Sequence, residues 1–192
     1  MTKSIDFYFD FISPYSYLAT TQLPALANKQ RVEINWLPVN LPRLMKLSGN
    51  TSPAAIKNKG LYSLRDLKRW SAYLDVPFRM IRPGAFDSRP AMRIAGALQA
   101  KERETFCLAV FDSIWSGAID PTSEQCLQYI ADLKGMPDEW LQLTNENFEA
   151  NTQAALKAGA FGVPSFVLHN KTGRPELFFG VDHMNFLSRA CE

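Results

Sequence analysis

Ser13-Pro14-Tyr15-Ser16 is the stretch whose residue types and placing could do chemistry. It lies between a strand pattern and a helical one. Ser13 suits the N-cap of that helix and Pro14 its first position. A side chain there sits where a helix dipole has just begun, which is a favourable place to hold an anion. Two roles are therefore open to Ser13: a plain helix cap, or a hydroxyl that donates to a bound anion. Nothing supports a serine nucleophile, because no accompanying His or Asp motif suggests a hydrolase triad. Cys107, Cys126 and Cys191 are far apart, no C-x-x-C occurs, and two histidines cannot complete a usual zinc site. No metal is expected, and the cysteines read as packing residues of a reducing compartment.

The elements that must position this stretch can be read from periodicity. Ile5, Phe7, Phe9 and Phe11 alternate with Asp6, Tyr8 and Asp10, which puts the two sets on opposite faces of a strand. Leu18, Ala19, Ala25 and Leu26 carry the helix that follows. Val32, Ile34 and Trp36 repeat at period two, and Pro38 and Pro42 stop this second strand. Residues 3–38 thus read strand, helix, strand, which implies a parallel pair with a right-handed crossover.

Residues 43–159 change character. Leu64, Leu67, Trp70 and Leu74 recur at helical spacing, as do Ala91, Ile94, Ala95 and Leu98, and then Phe106, Ala109, Val110 and Ile114. Thr122 with Gln125 resembles a capping box opening a fourth helix, which Gly135 ends. Pro137 starts a fifth that runs to about Ala158. Strand signals return in Ser165-Phe166-Val167-Leu168 and Glu176-Leu177-Phe178-Phe179, around a hairpin-like turn at Asn170-Lys171-Thr172-Gly173. A short helix follows Gly180, with Asp182 as its expected N-cap. The expected architecture is α/β: a discontinuous domain of residues 1–42 and 160–192 closing around an inserted all-helical domain of residues 43–159.

Bulk properties narrow the function. A 46% hydrophobic content with 21% charged residues implies a packed core rather than disorder. A net charge of +2 is too small to argue for nucleic acid or an anionic membrane as partner. Asp6 and Asp10 interrupt the apolar N-terminal residues, so no signal peptide is read there, and no window approaches a membrane span of roughly 20 apolar residues. A soluble cytoplasmic protein with a small-molecule partner is expected.

A strand, then S-P-Y-S, then a helix, with a distant Gly162-Val163-Pro164 before another strand, resembles the thioredoxin superfamily in its DsbA-like form. The run Phe9-Asp10-Phe11-Ile12-Ser13-Pro14-Tyr15-Ser16-Tyr17-Leu18-Ala19 looks like the opening of 2-hydroxychromene-2-carboxylate isomerases, which belong with the kappa-class glutathione transferases. Met45-Lys46-Leu47-Ser48-Gly49-Asn50, Lys59-Gly60-Leu61-Tyr62, Asp66-Leu67-Lys68-Arg69-Trp70, Phe161-Gly162-Val163-Pro164 and Phe179-Gly180-Val181-Asp182 follow in family order over nearly the whole chain. Each is weak alone; together they are specific.

The resemblance implies a site that works without cysteines of its own. Disulfide exchange needs an attacking thiolate on the protein, so the thiol is borrowed, and the family implies glutathione. Ser13 is then the catalytic hydroxyl, a donor to the bound sulfur. Val163, before a cis Pro164, would pair its backbone with the tripeptide. Asp182 would take the γ-glutamyl ammonium and the Val181 N–H its carboxylate. Transferase relatives carry Ser just before that Asp, so Val181 supplies one donor fewer. Asn50 and Lys59 would hold the middle and glycyl end, although Lys59 reads equally as a solvated charge. Tyr15 is a candidate aromatic wall, and Phe9 and Trp36 read rather as core. Arg89 is the arginine chosen for a substrate carboxylate, beside Asp87 where relatives commonly have Asn. Asp66 and Arg69 read as an ordinary i,i+3 pair. The implied activity is glutathione-dependent isomerisation of an aromatic substrate in a homodimer. A kappa-like transferase and a non-catalytic thioredoxin-like binding module are the alternatives.

Overall fold

The computed structural model describes residues 3–145, 147–170 and 173–192. β1 (Ser4–Phe9) leads into α1 (Pro14–Thr20) and α2 (Leu23–Gln30), and β2 (Glu33–Pro38) follows. Next come α3 (Leu41–Leu47), a 3₁₀ turn (Pro53–Ala55), α4 (Lys57–Leu74), α5 (Arg89–Ala97), α6 (Ala100–Trp115) and α7 (Cys126–Lys134). A second 3₁₀ turn (Asp138–Gln142) and α8 (Asn147–Lys157) precede β3 (Ser165–His169) and β4 (Glu176–Phe179). A third 3₁₀ turn (Val181–His183) and α9 (Met184–Ala190) end the chain.

The four strands form one sheet in the order β2-β1-β3-β4. β1 pairs parallel with β2, as the strand–helix–strand pattern requires, and antiparallel with β3. Tyr8 stands opposite Ser165, so β3 begins where β1 ends. That register brings the segment before β3 to the same end of the sheet as Ser13. β4 pairs antiparallel with β3; Lys171 and Thr172 of the expected turn lie outside the described residues.

The alternation in β1 sorts the core. Ile5, Phe7 and Phe9 are fully buried on one face, where Phe7 stacks on Phe166 at 5.3 Å and meets Trp36 edge-on at 5.2 Å. Phe11, beyond the end of the strand, packs at 4.8 Å against Phe111 of α6. Aromatic contacts of this kind add about 0.5–1.5 kcal/mol each beyond area burial. On the other face Tyr8 and Val167 pack with Val39, Leu44 and Ala155. Helices therefore cover both faces of the central strand pair, and Phe9 and Trp36 are core residues, as expected.

Four expectations need correction. The first helix is two helices. Pro24 lacks the N–H that would continue α1. The last α1 carbonyls are met by the turn's own N–H groups, Thr21 N–H donating to Tyr17 O at 3.3 Å and Gln22 N–H to Ala19 O at 3.0 Å. Side chains also meet them, Thr20 Oγ1 donating to Tyr17 O at 2.7 Å and Thr21 Oγ1 to Leu18 O at 2.9 Å. Thr122 caps nothing: its N–H and hydroxyl both donate to Asp120 Oδ1, at 3.0 and 2.8 Å, and α7 starts three residues later than a Thr122 cap implies. Gly135 does end α7, in the left-handed conformation at φ 62°. The fifth helix is a 3₁₀ turn and a separate α8, because Asn145 turns the chain through its own side chain, Asn147 N–H donating to Asn145 Oδ1 at 2.7 Å. Asp182 is inside the third 3₁₀ turn rather than the N-cap of α9, a position held by His183.

Candidate active site

Ser13 caps α1. Its Oγ accepts the Ser16 N–H at 3.1 Å, and its own N–H donates to Asp10 O at 3.0 Å. Because the oxygen is used as an acceptor, the hydroxyl hydrogen stays available to donate elsewhere. The cap and donor roles are thus compatible in one side chain. Ser13 is only 4% exposed, so a group bonded to it would be largely stripped of water, where hydrogen bonds are electrostatically stronger. The turn before it is held rigidly: Trp115 Nε1 of α6 donates to Phe11 O at 2.9 Å.

The Val163–Pro164 peptide bond is cis, as the resemblance implies. Among the described residues no hydrogen bond reaches the Val163 N–H or C=O. Pro164 O accepts the Gly180 N–H at 2.9 Å, which joins this segment to the turn bearing Val181 and Asp182. Gly180 has φ 91°, and a Cβ there would overlap the Asp182 carboxylate. Val181 is buried and Asp182 exposed, and α1 packs against this turn. The Val181 N–H opens the turn, where N–H groups lack partners within the helix. Asn50 lies on the other flank, its Nδ2 donating to Phe161 O at 2.8 Å.

Lys59 is exposed on α4, where it lines a cleft of about 370 Å³ with Pro53, Asn58, Tyr62 and Ser63. Ser13 does not line that cleft. Tyr15 connects the two regions: its hydroxyl donates to Asp66 Oδ2 of α4 at 3.0 Å, with Ser63 alongside. Burial first, and then Asp66, push the Tyr15 phenol well above its ordinary pKa, so it remains protonated and committed to Asp66. Asp66 therefore serves Tyr15, and the expected pairing with Arg69 is replaced by this contact.

This arrangement is a turn capped by the Ser13 hydroxyl, at the same end of the sheet as a cis-proline segment whose Val163 N–H and C=O make no hydrogen bond among the described residues. The profile of the DSBA-like thioredoxin domain matches residues 4–192. The chain belongs to that family. Its DSBA-like relatives include a 2-hydroxychromene-2-carboxylate isomerase of Sphingobium xenophagum, 34% identical over 97% of each chain. Human glutathione S-transferase kappa 1 is 28% identical over 98% of this chain and 90% of its own. A solved structure of 2-hydroxychromene-2-carboxylate isomerase superposes with a TM-score of 0.80, at 28% identity, over 97% of this chain and 93% of its own.

Two features of this DSBA-like site depart from the sequence expectation or escape it. Arg89 does not point a free guanidinium at the site. Its Nε donates to Asp87 Oδ1 at 2.8 Å and its Nη2 to Asp87 Oδ2 at 2.7 Å, a two-pronged pair on the surface. That pair holds the Asp87 carboxyl below its ordinary range. Asp10, by alternation only an outer-face strand residue, is 2% exposed. Its Oδ1 accepts from Ser88 Oγ at 2.6 Å and Ile12 N at 3.2 Å, and its Oδ2 from Leu41 N at 3.0 Å. Burial pushes its pKa up, these three donors pull it down, and Asp87 adds a smaller upward push. The one sequence signal for it is an acid between Phe9 and Phe11, where a strand gives way to a buried turn. Among the described residues no cluster of His, Cys, Asp and Glu could hold a metal, and no helix is long and apolar enough to cross a membrane.

Proposed function

We propose that this chain is a glutathione-dependent isomerase interconverting 2-hydroxychromene-2-carboxylate and trans-o-hydroxybenzylidenepyruvate, or a related aromatic compound. The observation that carries the reading is Ser13: a serine at the N-cap of α1 whose oxygen accepts the Ser16 N–H, which leaves the hydroxyl able to donate its hydrogen to a ligand. The residues around it suit glutathione in kind. Val163 offers an N–H and C=O that are unpaired among the described residues, Asp182 an exposed carboxylate for which only a glycine at 180 leaves room, Asn50 an amide and Lys59 an ammonium. Carboxylate for ammonium, N–H and ammonium for carboxylates, and extended backbone for peptide match the charges and polarity of a γ-glutamyl tripeptide.

When bound, glutathione supplies the thiolate that adds reversibly to the conjugated double bond and lets it rotate as a single bond. The protein's residues make that thiolate available. A free thiol, with a pKa of about 8.5, is mostly protonated at neutral pH. Lowering the pKa by two units takes about 2.7 kcal/mol of preferential binding of the anion. One hydroxyl hydrogen bond and the adjoining helix N-terminus are together of that size. Ser13 donates and does not attack. Pro164 and Gly180 hold the Val163 and Asp182 segments in one relation to α1, so that sulfur and ammonium would be gripped together. A cytoplasmic homodimer is the form this reading carries.

The Asp87–Arg89 pair favours a second reading, a kappa-like transferase. With Arg89 spanned by an internal carboxylate, a neutral electrophile meets less competition than a carboxylate substrate does. Incubating the protein with glutathione and each electrophile class separates the two. Recovered thiol with isomer exchange supports the isomerase. A stable conjugate supports the transferase, and absence of both with tight glutathione binding leaves a binding module.

A further inference from the structure

We infer that Asp10 is the positioning residue of this site: a buried negative charge that couples the Ser13 turn to the first turns of α3 and α5 and sets the acidity of a thiol held at Ser13. This role depends on the proposed function only for the identity of that thiol.

The carboxylate joins three segments that are far apart in the chain. Ile12 N belongs to the Ser13 turn, Leu41 N is the first N–H of α3, and Ser88 stands at the N-cap of α5. Two of these donors are backbone N–H groups, which can only donate, one to each carboxylate oxygen. An ionised carboxylate satisfies both, whereas a protonated one would leave an oxygen sharing its place with a proton. α3 ends at Leu47, three residues before Asn50, and α5 opens with Arg89. The same group therefore registers the Ser13 turn against the helix that leads to Asn50 and against the start of α5.

Its charge has a chemical consequence. Ile12, next to Ser13 in the chain, donates its N–H to Asp10 Oδ1 at 3.2 Å, and the Ser13 N–H bonds to the Asp10 backbone carbonyl, so the buried carboxylate belongs to the same turn as any anion bound at Ser13. Like charges in a low-dielectric setting oppose each other, so Asp10 resists thiolate formation unless its own charge is compensated. Ser88 Oγ, at 2.6 Å, is the shortest of the compensating contacts. The charged side chains on the elements packed against Asp10 are few. α1 carries none. α3 carries Arg43, turned to Glu149 at 3.2 Å, and Lys46 in its last turn. The α5 start carries Arg89, bound to Asp87, and Arg93, which also bears on Asp87. None of these replaces the three hydrogen bonds.

The test needs no glutathione. A Ser13→Cys protein places a thiol at the position itself, and its alkylation rate by iodoacetamide at pH 7 follows the thiolate fraction. Adding Ser88→Ala leaves the Asp10 charge less compensated and should slow alkylation by about threefold to tenfold, since one pKa unit is tenfold. Adding Asp10→Asn removes the charge and should speed it by a similar factor. Ser88→Thr restores a hydroxyl and should return the rate to within about twofold of the Ser13→Cys parent. A merely structural Asp10 would move both variants the same way or neither. Either result overturns the inference, as does a Ser88→Thr rate that stays with Ser88→Ala. Should Asp10→Asn fail to fold, the Ser88 pair decides alone. Glutathione binding by the unaltered protein is titrated separately: its failure removes the proposed function and leaves the outcome of the alkylation series standing.

Discussion

Replacing Ser13 by alanine separates the two jobs given to that hydroxyl. As a cap it accepts one N–H at 3.1 Å, and losing an N-cap of this type costs about 1 kcal/mol of stability. In a chain of 192 residues that is a fall of about 2–4 °C in Tm. As a donor to sulfur it should matter more. If Ser13 supplies most of the about 2.7 kcal/mol that brings a thiol from pKa 8.5 to about 6.5, turnover at pH 6 should fall about 10²-fold. The pH dependence is the decisive part. Above about pH 8.5 glutathione is ionised without help, so the deficit of the variant should shrink as pH rises from 6 to 9. The assay is isomerisation rate at saturating glutathione over that range, with the thiolate absorbance of the glutathione complex titrated in parallel. Unchanged turnover at pH 6 would remove Ser13 from the chemistry. A deficit of constant size across the range would refute acidification of the thiol and leave only a loss of positioning.

Four further outcomes are expected. Asp182→Ala should raise the KM for glutathione by more than it lowers kcat, and steady-state kinetics with glutathione varied would expose the reverse pattern, which argues against an ammonium contact. Asp87→Asn releases the two-pronged grip on Arg89; kcat/KM for a carboxylate-bearing electrophile should rise severalfold over a neutral one, about 1 kcal/mol, and an unchanged ratio places Arg89 outside the substrate's reach. Tyr15→Phe strips the Asp66 carboxylate of its 3.0 Å donor, for a loss of about 1 kcal/mol in denaturant melts; a variant as stable as the parent would show that the α1–α4 contact rests on packing alone. Asp10→Asn should flatten the pH dependence of stability. The folded pKa of Asp10 is raised by burial, so its contribution is fully present below the unfolded value of about 3.9 and is lost as pH rises through the folded value. Relative to Asp10→Asn, the parent should therefore lose stability as pH climbs from about 4, and parallel melting curves across that range would contradict the assignment.

What can be read from the chain is what its neighbours in sequence decide. Ile5, Phe7 and Phe9 alternate because a pleated strand does, and all three lie in the core. Ser13 is legible as a cap because capping needs only residues three apart, Ser13 to Ser16. Pro24 is in plain view, but the apolar period across Leu18 and Leu26 masks the break between α1 and α2. The contacts that escape are between distant residues. Asp10 meets Leu41 and Ser88, 31 and 78 positions on, and no period or motif links an acid to partners so remote. Tyr15 meets Asp66 across 51 positions, which turns an expected surface ion pair into a tie between helices. Arg89 escapes for the opposite reason: Asp87 is two residues away, a spacing that does not face it along a helix but does just before α5 begins.

The division has a chemical sense. Local pattern specifies the donor, because a hydroxyl at a helix start needs nothing from elsewhere to point its hydrogen outward. Distant contacts specify how acid its ligand becomes, because a buried carboxylate and the donors that quiet it must arrive from separate elements. On the proposed reading, a DSBA-like chain keeps the S-P-Y-S turn while altering Ser88 or Leu41's neighbours, and so tunes a thiol held at Ser13 without touching Ser13 itself.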